Sequence, residues 1–188
     1  MKMYKISTAK ELEQFKDEYG YRVMGNLEVD CSLDFKGRLY VEGYLYIEAG
    51  SSIEAGDYIK AGHYIEAGYF IKAGGYIEAG SYIEAGSSIK AGDYIEAGSS
   101  YGISAGLKIT CEGRLKYGLK CFAGICTWRE ISDEEKTITC GKHEGGVIEY
   151  GILNEVGMPE EKKETMIVIN GKEFSASTIQ KALKEYVG

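Results

Sequence analysis

Proline is almost missing from this chain of 188 residues: there is one, beside a single tryptophan and two histidines. With 26 glycines and so little proline, the chain is unlike a disordered Gly-rich linker, which carries Pro and Ser and no regular aliphatic residue. The glycine is therefore structural. Long apolar runs are also lacking, and the opening Met1-Lys2-Met3-Tyr4-Lys5 has no signal-peptide core. A cytoplasmic protein with no membrane contact is expected. Basic charge is in deficit, 22 Lys and Arg against 29 Asp and Glu, for a net charge of -7. That balance argues against direct nucleic-acid binding by phosphate neutralisation and suits an acidic surface that meets a basic partner. Five cysteines, an odd number with no secretory signal, predict reduced thiols rather than a disulfide framework.

The chain is rich instead in one short phrase. With Ile in the first place, the central block reads I-[EK]-A-G-x-x, beginning at Ile47, Ile53, Ile59, Ile65, Ile71, Ile77, Ile83, Ile89 and Ile95. A helix of 3.6 residues per turn cannot keep a six-residue pattern on one side, and a glycine in every hexad costs a helix about 1 kcal/mol each time. A short strand followed by a bend can keep it. Period-two alternation sends Ile and Ala to one side and Tyr and Glu to the other. Glycine and its variable neighbour then turn the corner, an arrangement that predicts positive φ at the glycines.

The register extends into the flanks. Upstream, Val23, Val29, Phe35 and Val41 fall six apart and read as the key aliphatic site, each followed by Leu27, Leu33, Leu39 or Leu45. Downstream, after a two-residue slip near Ser100 and Tyr101, Ile103, Ile109, Leu115, Cys121 and Thr127 resume it, with Leu107, Leu119, Ile125 and Ile131 as companions. A solenoid over 22–132 is predicted. One hexad cannot bury its Ile alone, but stacked equivalents can, at about 1.5–3 kcal/mol per buried side chain. Eighteen hexads in three-hexad coils about 4.8 Å apart would make a rod of roughly 29 Å.

A rod of this kind has open ends that need caps. Thr8 with Glu11 forms a capping-box pattern, Leu12, Phe15 and Tyr19 share a helical face, and Gly20 suits the stop, so residues 1–21 read as a helical cap. Residues 133–188 read as a small α+β domain. Thr137 to Cys140 and Val147 to Leu153 are its first strands, Thr165 to Ile169 turns through Asn170-Gly171 into Lys172–Phe174, and a helix opens near Ser177. The charged run from Pro159 to Glu164 is its loop.

Six-residue strands with an aliphatic key residue resemble the hexapeptide-repeat superfamily. The resemblance implies a mainly β fold, a β-solenoid wound as a left-handed parallel β-helix with three hexads per coil. Ala here follows the aliphatic by two, where the family has a small residue two before it, and a flattened two-sided coil of twelve residues is the alternative. The tail "VINGKEFSASTIQKALKEYVG" loosely resembles small phage and mobile-element proteins.

Many hexapeptide-repeat proteins are acyltransferases, in which a catalytic His sits beside a loop extruded between coils. Here His63 is a variable corner residue and no loop interrupts 47–98. The γ-class carbonic anhydrases of the same architecture need three His, and this chain has two. Cys111, Cys121, Cys126, Cys140 and His143 include the spacing Cys140-Gly-Lys-His143 but no paired CxxC, so no metal or other cofactor is predicted. Cys31 and Cys111 stand at the small inward site and Cys121 at the aliphatic one, as small hydrophobes. Ranked Thr, the mark of ice-binding solenoids, is missing from the central hexads.

The outward positions remain. Tyr58, Tyr64, Phe70, Tyr76, Tyr82 and Tyr94 precede their Ile, and Glu54, Glu66, Glu78, Glu84 and Glu96 follow theirs. Three hexads per coil would stack Tyr58, Tyr76 and Tyr94 on one face and Ser52, Phe70 and Ser88 on another. Aromatic ladders stabilise a sheet, and Tyr strips also serve as interfaces. The expected function is thus non-catalytic protein binding through these Tyr and Glu positions, in a homo-oligomer. The expected partner carries a basic surface, such as a nucleic-acid-binding enzyme. With the phage-like tail, the sharpest form is an inhibitor of a host defence nuclease, of the anti-CRISPR type, in a bacterial cytoplasm. A hexapeptide-repeat acyltransferase with His63 or His143 as base and a self-assembling structural protein are the alternatives.

Overall fold

A computed structural model describes residues 1–157 and the strands Met166–Ile169 and Lys172–Ser175. The chain is mainly β, wound into a parallel solenoid of about six turns. Ile59 lies beside Ile77 and Ile77 beside Ile95, Ile65 beside Ile83, and Ile71 beside Ile89. Each partner is eighteen residues on, which makes three hexads per coil and rules out the twelve-residue, two-sided coil.

Three columns of strands result. The first face carries Met3–Ile6, Asn26–Val29, Leu45–Ile47, Ile65–Ala67, Ile83–Ala85 and Ile103–Ala105. The second carries Leu33–Phe35, Ile53–Ala55, Ile71–Ala73, Ile89–Ala91, Ile109–Cys111, Thr137–Cys140 and Ile152–Glu155. The third carries Gly20–Val23, Arg38–Val41, Ile59–Ala61, Ile77–Ala79, Ile95–Glu96 and the first half of Lys142–Tyr150. The strand Arg114–Ala123 bridges two faces, pairing Leu115 with Ile95 on the third and Cys121 with Ile103 on the first. Alternation fills the interior: the hexad Ile side chains are fully buried, the Ala side chains nearly so, and the intervening Glu and Lys point outward.

The register of the N-terminal flank differs from the sequence expectation. Leu27, Leu33, Leu39 and Leu45, not the valines, stand in line with the hexad isoleucines, since Leu39 pairs Ile59 and Leu45 pairs Ile65. Val41 and Ile47 align with Ala61 and Ala67, so Ile47 is the last residue of a flank strand and not the first Ile of the repeat. Two extra residues in the turn 48–52 shift the frame: Leu45 to Ile65 is a step of twenty, as is the expected slip from Ile83 to Ile103. Cys31 consequently sits at a corner, partly buried, and not at the Ala site. Cys111 lies beside Ala91 and Cys121 beside Ile103, as anticipated.

The hexad glycines also have a different cause. Gly74, Gly80, Gly86 and Gly92 do not take positive φ. A Cβ on Gly74 would stand 2.2 Å from the carbonyl O of Gly56, and one on Gly80 2.1 Å from that of Gly62. The corners of successive coils approach too closely for any side chain, so steric contact between coils, not backbone torsion, demands glycine.

The ends are corrected as well. The N-terminal segment is not an α-helix but the 3-10 helix Ala9–Phe15, and Thr8 makes no side-chain cap. Glu11 accepts instead from the Ser7 N–H at 2.8 Å. Leu12 is buried and Phe15 packs edge-on to Tyr4 at 5.0 Å, whereas Tyr19 is 63% exposed and leaves the supposed helical face. Met3–Ile6, ahead of this cap, is already a solenoid strand beside Asn26–Val29. Downstream, residues 124–133 leave the ladder, and Leu119 and Ile125 are exposed rather than inward companions. Ile138 then resumes the second face opposite Ile109, and Lys142–Tyr150 follows Arg114–Ala123 from the third face, where His143 pairs Leu115, to the first, where Ile148 pairs Cys121. The expected boundary at 132/133 is thus no break in the sheets, and the described residues to 155 belong to the coil stack. The expected hairpin is present, with Met166–Ile169 antiparallel to Lys172–Ser175. The charged run and the helix from Ser177 lie outside the described residues.

Candidate interaction face

The tyrosines form two ladders. On the first face Tyr44, Tyr64 and Tyr82 stack with ring centroids 4.8 and 4.9 Å apart and planes within 5°. On the third, Tyr58, Tyr76 and Tyr94 stack at 4.4 and 4.8 Å, as the three-hexad coil predicts. The spacing is that of the strands themselves, so each ring rests on its equivalent one coil away. Among the described residues Phe70 has no such partner: it follows Ser52 and precedes Ser88 on the second face and meets one ring, Tyr69, tilted at 5.5 Å. The expected site residues therefore do not make one surface. Tyr64, Tyr82, Glu66 and Glu84 share the first face, Phe70 and Glu54 the second, and Tyr58, Tyr76, Tyr94, Glu78 and Glu96 the third.

The acids separate these faces further. On the second, Glu54 is paired with Lys72. On the third, Glu78 is bound by Lys60 at 2.7 Å, and Glu96 by Lys116 at 2.8 Å and Arg114 at 3.1 Å. On the first, the outward column runs Glu28, Tyr46, Glu66, Glu84, Ser104, Phe122, and among the described residues no salt bridge reaches its three glutamates. Lys5, which heads that column, is bound to Asp30 at 3.0 Å. The Tyr44 hydroxyl donates to Glu28 at 2.8 Å and that of Tyr82 to Glu66 at 3.2 Å, fixing two of the three carboxylates.

These contacts perturb the titration of the rings and acids. The Glu28 hydrogen bond, then burial, pushes Tyr44 up to about 12. Burial, then the Glu66 charge, raises Tyr82 to about 12, and burial, then Glu78, does the same for Tyr94. Glu84, exposed at the surface, is still held above the ordinary carboxylate range, first by the desolvation its neighbours impose and then by Glu66. The hydrogen bond from Ser104 acts the other way.

Sequence reasoning missed Tyr44, Glu28 and Tyr46 on this face, because the flank frame was read two residues out. Alignment of Leu45 with the repeat isoleucines would have revealed them. The other candidates do not gather. His63 is an exposed corner residue between backbone hydrogen bonds to Gly43 and from Ser81. His143 lies at the far coil, its ring 5.3 Å from that of Tyr117. Among the described residues no group of three His, Cys, Asp or Glu is placed to hold a metal. Burial pushes the Cys111 and Cys121 thiols up to about 12 and Cys140 to about 11, so they pack as neutral small hydrophobes. No helix among the described residues is long and apolar enough to cross a membrane. No protein-family model, curated protein or solved structure matches the chain.

Proposed function

We propose that this chain is a non-catalytic, protein-binding solenoid whose first face receives a basic partner. The observation that carries the reading is the segregation of charge: Glu54, Glu78 and Glu96 on the second and third faces are neutralised by Lys60, Lys72, Arg114 and Lys116, while among the described residues no cation pairs with Glu28, Glu66 or Glu84. A carboxylate column with stacked tyrosines along its edge offers charge for steering and rigid aromatic area for contact. The hexad lysines Lys60, Lys72 and Lys90 do not dilute it, because the winding puts them on the other two faces.

The specific form of the proposal is a phage-encoded inhibitor of a host defence nuclease, of the anti-CRISPR type, acting in the bacterial cytoplasm. Such an enzyme has a basic nucleic-acid channel, and the column would compete for it. The phage-like tail supports the origin. The test is DNA cleavage by a panel of purified CRISPR nucleases with and without the protein. Inhibition of a nuclease, weakened by salt, lost in the Tyr64→Ser/Glu66→Gln double variant and kept by Lys90→Gln on the second face, is expected. A panel wholly uninhibited, or a first-face variant as potent as the parent, overturns it.

A further inference from the structure

Four ladder ends face outward along the solenoid, and three are covered. At one end of the third-face ladder the Arg38 guanidinium lies 5.9 Å from the Tyr58 ring. At the other, Arg114 lies 4.8 Å over Tyr94 and pairs with Glu96 at 3.1 Å. On the first face, Tyr44 donates its backbone N–H to Asn26 Oδ1 at 3.2 Å and its hydroxyl lies 3.6 Å from the Met3 sulfur, so that end is covered too. Among the described residues Tyr82 alone has no side chain stacked on its outer end, because the next position in its column is Gly102. A cavity of about 270 Å³ occupies the missing rung, bounded by Tyr82, Glu84, Gly102, Ser104, Lys120 and Phe122.

The vacancy is built into the backbone. A Cβ at Gly102 would stand 2.2 Å from the carbonyl O of Lys120, so no side chain of this chain can fill the slot from that position. Tyr82 and Lys120 are two coils apart, roughly 9.6 Å at ordinary strand spacing, which leaves room for one planar group between them. Lys120, at the far wall, is tied to Glu149 at 2.9 Å, so its charge is compensated outside the slot.

The protein itself shows what fits. Tyr94-Ile95-Glu96 and Tyr82-Ile83-Glu84 are the same phrase, and Arg114 stands one coil above the first in the place that Gly102 takes above the second. There the guanidinium stacks on the ring and pairs with the carboxylate two residues on. We infer that the slot over Tyr82 and Glu84 is a receptor for an arginine side chain of a partner protein, stacked on Tyr82 and paired with Glu84 as Arg114 is on Tyr94 and Glu96. The planar, weakly hydrated guanidinium suits both contacts, where a lysine ammonium satisfies only the charge. Glu84, unlike Glu96, has no cation of its own among the described residues, and its raised titration agrees with a carboxylate that lacks one.

This inference rests on the proposed partner-binding face and deepens it, and its test does not need the partner. The full chain is titrated with N-acetyl-argininamide at constant ionic strength and followed by amide NMR, with N-acetyl-lysinamide and N-acetyl-tryptophanamide in parallel. The arginine derivative is expected to shift Tyr82, Gly102 and Ser104 at concentrations where the lysine derivative does not. Tyr82→Leu should abolish those shifts, and the isosteric Glu84→Gln should weaken binding about tenfold, as for loss of a charge-assisted hydrogen bond. Equal shifts from lysine, preference for tryptophan, or no shift from any probe overturns the arginine receptor. If the probe fails while nuclease inhibition still depends on Tyr64 and Glu66, only this inference falls. If the probe binds while no nuclease is inhibited, the slot stands and the inhibitor reading falls.

Discussion

Tyr76 sits between Tyr58 and Tyr94 with a ring on each side, and burial, then the charges of these two neighbours, raises its titration. For Tyr44, Tyr82 and Tyr94 the folded value is about 12, against about 10 for an unperturbed tyrosine. An acid whose folded pKa exceeds the unfolded one favours the protonated native state, so its stabilisation is complete below the unfolded value. It is lost as pH rises from about 10 towards about 12. Denaturant melts should therefore show stability falling steeply over that window, with part of the tyrosinate absorbance appearing only as unfolding begins. A chain that titrates all sixteen tyrosines in one step near pH 10 would contradict the stacked ladders. The pairing of Tyr with its hexad Glu was legible from period-two alternation. Which Glu receives which hydroxyl was not, since Tyr82 donates to Glu66 in the coil before and not to its own Glu84.

Adjacent glycines within one corner separate contact between coils from turn formation. A Cβ on Gly74 meets the Gly56 carbonyl O at 2.2 Å, while one on Gly75 meets nothing nearer than 3.2 Å, the Asp57 carboxylate. Equivalent corners carry Asp57, His63, Ser81 or Asp93 at the Gly75 position, so a side chain there is accommodated. Gly74→Ala should lower unfolding free energy by about 2–4 kcal/mol, in the range of severe overpacking, because two backbones must part. Gly75→Ser should change it by about 0.5 kcal/mol or less. Parallel urea melts of the two variants test this, and similar losses in both would show that torsion and not coil contact governs the corner. The same comparison explains the misread cause of the glycines. Sequence shows that Gly recurs at a bend, but the carbonyl that excludes a Cβ belongs to a residue eighteen positions earlier.

For the whole solenoid, the strands beyond residue 132 cover the last coils: Ile138 and Cys140 are fully buried, and Lys142–Tyr150 lies along Arg114–Ala123. A chain ended at residue 132 should expose the edges of Ile109–Cys111 and Arg114–Ala123 and aggregate or melt without a cooperative transition. Light scattering after size-exclusion chromatography tests this, and a monodisperse, cooperatively folding truncation would restore a domain boundary there. The sequence implies a boundary there because 124–133 breaks the hexad phrase, but a break in period is not a break in fold. The solenoid tolerates such an excursion as long as the chain returns to the next rung, as Ile138 does opposite Ile109.

The hexad alone was enough to define a coil of short parallel strands, its buried Ile and Ala and its outward Tyr and Glu, since alternation is a property of the extended backbone and repeats in every unit. Which outward residues share a face is a matter of counting residues around each coil. Two extra residues at 48–52 or before Ile103 leave every local pattern intact while moving all that follows to a new neighbour. So only the tertiary structure could gather Glu28, Glu66 and Glu84 into a column that no salt bridge reaches among the described residues, send Lys60, Lys72 and Lys90 to other faces and set Gly102 above Tyr82. "IKAGHYIEAGYFIKAGGYIEAG" spells the rungs of the ladder, and the winding decides which rung is left empty.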